Sequence, residues 1–182
     1  KIKFTQDEDS LKIETKIDIE VKVLFIPAYK FTHNSSEIWL DGNFTNIDAY
    51  TDFEDEREYF INGNDENGFF LASGMDGDLK LDENILPSNF WNINVLNEKK
   101  LFDTQKGIVR EIKTEFLGDE EIKINENTYN CQKFSLNASS NPKDKGPFPE
   151  YTLWYNKKNN ELMKFSFKNW KDKKIVTILR KK

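Results

Sequence analysis

The chain has one cysteine and one histidine in 182 residues, and each shortage excludes some chemistry. The lone thiol, Cys131, cannot close an internal disulfide, and a buried structural position is expected for it. With His33 the only imidazole, no zinc site built from histidine and cysteine alone can form, and no Cys-His nucleophile pair is indicated. Long apolar runs are missing too. The longest, Val23-Leu24-Phe25-Ile26, falls far short of the roughly 20 residues a membrane helix needs, so no transmembrane segment is expected. There is no excess of basic charge: 27 lysines and arginines face 32 acids, for a net charge of −5. That argues against a nucleic-acid partner, which requires phosphate neutralisation. Only 8 glycines occur, nearly all in turn contexts, and none forms a phosphate-cradling loop. The chain starts at Lys1 without an initiator methionine or a signal peptide, so a processed or trimmed product is expected, with export permitted.

Aromatic residues are what the chain has in quantity. The apolar fraction is only 37%, but 15 Phe, 6 Tyr and 4 Trp bring the aromatic share to 14%. Each buried ring removes about 150–250 Å² from water, enough to offset the shortage of aliphatics. With two methionines and few alanines, this favours β-packing over helix bundles. The length fits a single domain, 1–182.

Residues 11–25 carry the strongest pattern. Leu11, Ile13, Thr15, Ile17, Ile19, Val21, Val23 and Phe25 occupy the odd positions, and every even position from Lys12 to Lys22 is charged. A period of two over this length predicts a strand with one buried and one wet face. At ~3.3 Å per residue it reaches about 50 Å, longer than the ~40 Å breadth of a domain this size, so it must bend or bulge.

The remainder reads as hairpins. Tyr29–Leu40 turns at Asp41-Gly42 into Phe44–Phe53; Tyr59–Ile61 and Phe69–Ala72 flank a turn from Asn62-Gly63 through Asn67-Gly68; Asp76-Gly77 precedes Leu79 and Leu81. Ile108–Leu117 turns at Gly118-Asp119 into Glu121–Ile124, and strands follow at Tyr129–Leu136, Tyr151–Tyr155, Leu162–Phe167 and Ile175–Leu179. Two segments break the pattern. Ser88 can cap a short helix over Asn89–Asn97, which carries Phe90 and Trp91, and residues 139–149 read as a mobile loop.

Candidate chemistry is sparse. His33 shares a strand face with Tyr29, Phe31 and Ser35, which reads as a hydrogen-bonded histidine near a sheet edge. No carboxylate pair stands in a distinctive setting for glycoside chemistry. The acidic stretch Asp76–Asn84 lacks calcium-loop spacing, with Lys80 at a ligand position and Leu81 where the glycine belongs. Trp39, Trp91, Trp154 and Trp170 belong in the core or stack on sugars. A short helix plugging a curved sheet leaves an apolar pocket wherever the two do not fill the space between them.

The run Phe25-Ile26-Pro27-Ala28-Tyr29-Lys30-Phe31-Thr32-His33, followed by Glu37-Ile38-Trp39-Leu40-Asp41-Gly42, resembles an uncharacterised family of exported bacterial proteins. So do Leu86-Pro87-Ser88-Asn89-Phe90-Trp91-Asn92, Leu101-Phe102-Asp103-Thr104-Gln105-Lys106-Gly107, and Leu153-Trp154-Tyr155 before a final strand pair. The order and spacing agree over nearly the whole chain. That family is itself a domain of unknown function, with a sheet similar to the half-open barrels of periplasmic lipoprotein carriers, which hold acyl chains on a concave apolar face. Phe31 stands where the family commonly has tyrosine. Its members usually begin with an export signal and a further strand, so the resemblance implies that an N-terminal strand is missing and that Ile2–Thr5 presents an open edge.

The resulting expectation is a mainly β protein: a single strongly curved antiparallel sheet, or open β-barrel, with a short plug helix near residues 88–97. Its expected role is a non-enzymatic cell-envelope protein in the periplasm or another extracytoplasmic compartment, without cofactor or metal. It binds a lipid-like or other apolar small molecule through Ile19, Val21, Val23, Phe25, Phe31, Phe90 and Trp91. The alternatives are a carbohydrate- or cell-wall-binding module, which needs exposed tryptophans, and a structural partner of an envelope protein.

Overall fold

The alternation at the N-terminal end becomes a long strand in the computed structural model. The structure describes residues 1–23, 26–53, 58–141, 143, 148–168 and 174–180, with the side chains of 21–23 and 26–29 outside that set. Strand β1 covers Ile2–Asp7 and β2 Ser10–Val23; they are followed by β3 (Ile26–Leu40), β4 (Asn43–Phe53), β5 (Glu58–Glu66), β6 (Phe69–Gly74) and β7 (Gly77–Asp82). Each pairs antiparallel with the next to form a seven-stranded sheet. A second sheet of seven holds β8 (Leu86–Pro87), β9 (Lys100–Asp103), β10 (Ile108–Ile124), β11 (Asn127–Ala138), β12 (Tyr151–Asn156), β13 (Leu162–Lys168) and β14 (Ile175–Leu179), with β10 to β14 antiparallel. The mainly β class is as expected. The strands divide between two sheets among the described residues, where one was expected. The chain forms two compact units, Lys1–Pro87 with Phe102–Val109, and Ser88–Leu101 with Arg110–Lys182.

In the first unit the period-two pattern sets the faces. Ile13, Ile17 and Ile19 pair across β3 with Glu37, His33 and Phe31 and share their inner face. The charged even positions remain in water, where Lys12–Glu14 and Lys16–Asp18 pair at 3.2 and 3.8 Å. Such exposed pairs stabilise little. The bend required by length takes the form of register shifts at Val21/Lys22 and Ile38/Trp39. The β3–β4 hairpin turns at Asp41 and Gly42, with φ of 49° and 80°, the two positive values a tight two-residue turn demands.

Three expectations are corrected. Asn62-Gly63 is not a turn but lies inside β5; a Cβ on Gly63 would lie 2.6 Å from the Phe70 ring, so the glycine seats that ring. Gly118 does not turn the chain: it pairs with Lys133 just after a bulge at Leu117 in one 17-residue strand, and the turn comes at Asn125 instead. The helix expected over 89–97 is a five-residue 3-10 turn, Ile93–Asn97, capped by Asn92 rather than Ser88. Asn92 Oδ1 accepts from the Asn94 amide, a local bond that competes with an α-helix in a segment with asparagines at 89, 92, 94 and 97.

In the second unit Val95 is fully buried, Thr114 Oγ1 donates to the Leu96 carbonyl at 2.9 Å, and Phe90 stacks on Tyr151 at 4.5 Å. The Tyr155 hydroxyl donates to the Phe90 carbonyl at 2.7 Å, and burial pushes its phenol far above the ordinary range. Tyr155→Phe strands that carbonyl in the core. The expected loss is about 1–2 kcal/mol, read as a lower urea midpoint at unchanged m-value.

Candidate functional site

The odd positions of β3 face inward as Phe31, His33, Ser35, Glu37 and Trp39, an inner row with more polar groups than a core usually holds. Cross-strand pairing extends each position. Phe31 meets Phe53, His33 meets Thr51 and Thr51 meets Tyr59, and Glu37 meets Ile47. The segment Phe102–Val109 completes this unit. Its Phe102 ring packs edge-on against Phe70 at 5.6 Å, Lys106 Nζ lies 4.7 Å from the Phe53 ring centre and 5.8 Å from that of Tyr59, and the Met75 amide donates to the Lys106 carbonyl at 2.7 Å. Asp103 holds the segment's turn, its carboxylate accepting from the Gln105 amide and its carbonyl from the Gly107 amide. The filler of this sheet is therefore the polar-looking Asp103–Gly107 turn. The expected plug at 88–97 falls in the other unit.

His33 Nδ1 sits 2.8 Å from Thr51 Oγ1. Burial lowers its pKa from an ordinary 6.5 to about 4, against the opposing pull of Asp103. The ring is neutral at pH 7, and it lies on a central strand rather than near an edge. Histidine, threonine and aspartate together invite a catalytic reading, but their exposures are 3%, 0% and 2%. All three side chains are shut off from solvent. Glu37, equally buried, accepts from Trp39 Nε1 at 3.2 Å. Hydrogen bonds brace the row at His33–Thr51 and Glu37–Trp39, while the buried Ser35 hydroxyl between them has no partner among the described residues.

The binding residues expected from sequence divide between the units. Ile19 and Phe31 are brought together on β2 and β3, where Ile19 is half-buried and Phe31 packs edge-on against Phe53 at 5.1 Å. Phe90 and Trp91 belong to the other unit. The side chains of Val21 and Val23, and all of Phe25 and Trp170, lie outside the described residues, as do 142 and 144–147 of the 139–149 loop. Trp39 and Trp154 are buried and Trp91 is half-buried, which removes the open tryptophan platform a sugar-binding module would need from the described residues. No group of three His, Cys, Asp or Glu among these residues is placed to hold a metal ion, and no helix is long and apolar enough to cross a membrane. Cys131 is buried as expected, and burial raises its pKa.

Sequence reasoning missed a second feature. On the outer face of β3–β5, an open groove of about 500 Å³ is lined by Asn34, Ser36, Asp48, Tyr50, Phe60 and Asn62. Its floor is the backbone of alternate residues whose side chains point the other way. Tyr50 and Phe60 are direct cross-strand partners with ring centres 5.1 Å apart, and Phe60 is 68% exposed. The signal lay in phase: both rings stand at positions that alternate with the buried set.

No curated protein matches the chain. A solved structure of a β-barrel-like protein of a domain of unknown function, DUF1849, from Brucella abortus superposes with a TM-score of 0.67 over 99% of this chain and 84% of its own, at 11% identity. At that identity the likeness shows the fold alone. The model of a domain of unknown function, DUF6134, matches residues 1–180. The chain belongs to that family, the domain of unknown function DUF6134.

Proposed function

We propose that the chain is a non-enzymatic binding protein of an extracytoplasmic compartment, holding a lipid-like ligand at the β2 end of its first sheet. The observation that carries this reading is uneven packing along one face. Ile13, Ile47, Ile61 and Phe70 are at most 2% exposed, whereas Ile17, Ile19 and Phe53 on the same face are only half-buried. The apolar face therefore continues past the stretch that its own chain covers, and the sequence beyond it, 21–29, is mostly apolar. Such an open strip suits an acyl chain. The closed His33–Thr51–Asp103 group supports a holding role over a catalytic one.

Incubating the full chain with dodecanoate or hexadecanoate tests the reading. Saturation at about 100 times the dissociation constant adds roughly 2.7 kcal/mol, which raises the melting temperature by about 5–10 °C. Native mass spectrometry should show the matching adduct, and Ile19→Asp should lose both signals while keeping the far-ultraviolet β spectrum. No shift and no adduct with either chain length would sink the proposal.

A further inference from the structure

We propose that the edge of β1 is a docking surface for a second copy of this chain, the two β1 strands pairing antiparallel about a twofold axis at Phe4. The proposal goes beyond the binding reading and does not depend on it. Three observations carry it.

The first is the edge itself. Strand β1 ends the first sheet, and every residue of it is exposed. Sheet edges are commonly protected by proline, a bulge or an inward-pointing charge. Here there is no proline, the register with β2 runs without a shift, and the residues on the inner face are Ile2, Phe4 and Gln6.

The second is the phase of the backbone. Lys1 and Lys16 exchange both of their backbone hydrogen bonds. In an antiparallel ladder that arrangement recurs at every second residue, so Lys3, Thr5 and Asp7 also bond to β2. Ile2, Phe4 and Gln6 therefore direct their N–H and C=O groups to the edge. Pairing about Phe4 sets Ile2 against the partner's Gln6 and satisfies all of these groups.

The third is charge. The same register brings Lys1 opposite the partner's Asp7, twice by symmetry, and Lys3 opposite the partner's Thr5. Sliding the pair one way sets Lys3 against its own copy. Sliding it the other way leaves Ile2 facing Glu8, a turn residue with φ of 39°. The edge strand β14 of the second sheet lacks this complementarity, because Lys174 and Arg180 flank it and self-pairing would set them against each other. Each copy has a single open side of β1, so association through it closes at two.

Sedimentation equilibrium of the full chain at low salt tests the proposal. The interface is far smaller than the 20–30 residues a side of a standard one, so a dissociation constant on the order of 100 μM is expected. Lys1→Asp and Asp7→Lys should each weaken the dimer about tenfold, since each places like charges opposite one another at two positions. An equimolar mixture of the two variants should dimerise about as tightly as the native chain, because opposite charges then meet again. Gln6→Pro removes an N–H that points away from β2; it should abolish the dimer while the far-ultraviolet β spectrum is kept. A monomer at every concentration, a dimer that survives Gln6→Pro, or a mixture no tighter than its separate variants overturns the proposal.

Discussion

Gly74→Ala is expected to destabilise the protein by about 3 kcal/mol or more, the upper range for overpacking. A methyl group on Gly74 would lie 2.5 Å from the Cα and carbonyl oxygen of Gly107 and 2.7 Å from the Lys106 carbonyl oxygen. All three are backbone atoms, so no rotamer change relieves the clash. The reverse view agrees: a Cβ on Gly107 meets Gly74 Cα at 2.7 Å, and Gly107 has φ of +64° besides. Two bare backbones cross here, beside the hydrogen bond from Met75 to Lys106. Gly77→Ala is the matched control, because nothing lies within 4 Å of its Cβ and only its φ of +85° resists the change. Its expected cost is about 1 kcal/mol. For a chain of this size the Gly74 substitution should lower the melting temperature by about 6–12 °C. Equal losses for the two variants would refute the crossing.

Stability should also fall as the solution is acidified, with His33 responsible for a separable share. Its folded pKa of about 4 lies below the ordinary 6.5 because burial disfavours the imidazolium. The unfolded chain therefore takes up the proton first. The contribution is complete above pH 6.5, is lost as pH falls toward 4, and levels off below that. At about 1.4 kcal/mol per unit, its full size is roughly 3 kcal/mol. Carboxylates titrate in part of the same window, so the His33 share is isolated by difference. Urea unfolding of the native chain and of His33→Asn at pH 7.5, 6 and 4.5 should give stability gaps that change by about 2–3 kcal/mol across the series. An imidazole NMR titration midpoint near 6.5 would contradict this account.

Where burial follows from local alternation, the sequence was legible. The odd positions of β2 do face inward, and Asp41-Gly42 does turn the chain. What escaped reading depends on distant partners. Gly63 reads as a turn residue until Phe70, across the next strand, occupies the space its side chain would need. Gly118 reads as a turn although the hydrogen-bond ladder continues through it with a bulge. Asp103 to Gly107 has the composition of a wet loop, and nothing within it foretells that Lys106 is 4% exposed against two aromatic rings. The same limit holds for the candidate sites. Ile19 and Phe31 share the inner face, as period two alone places them. The Tyr50–Phe60 pair needed the register between β4 and β5, which no single strand contains.

The first unit draws its residues from two separate stretches of chain. During synthesis its seven strands emerge before Phe102 and Lys106, which pack on Phe70, Phe53 and Tyr59 of their inner side. Until Gly107 has left the ribosome, a layer of Phe44, Ile47, Ile61 and Phe70 is complete in sequence but lacks that cover. For that interval the nascent protein presents a ready-made adhesive surface, which the arrival of one short turn removes.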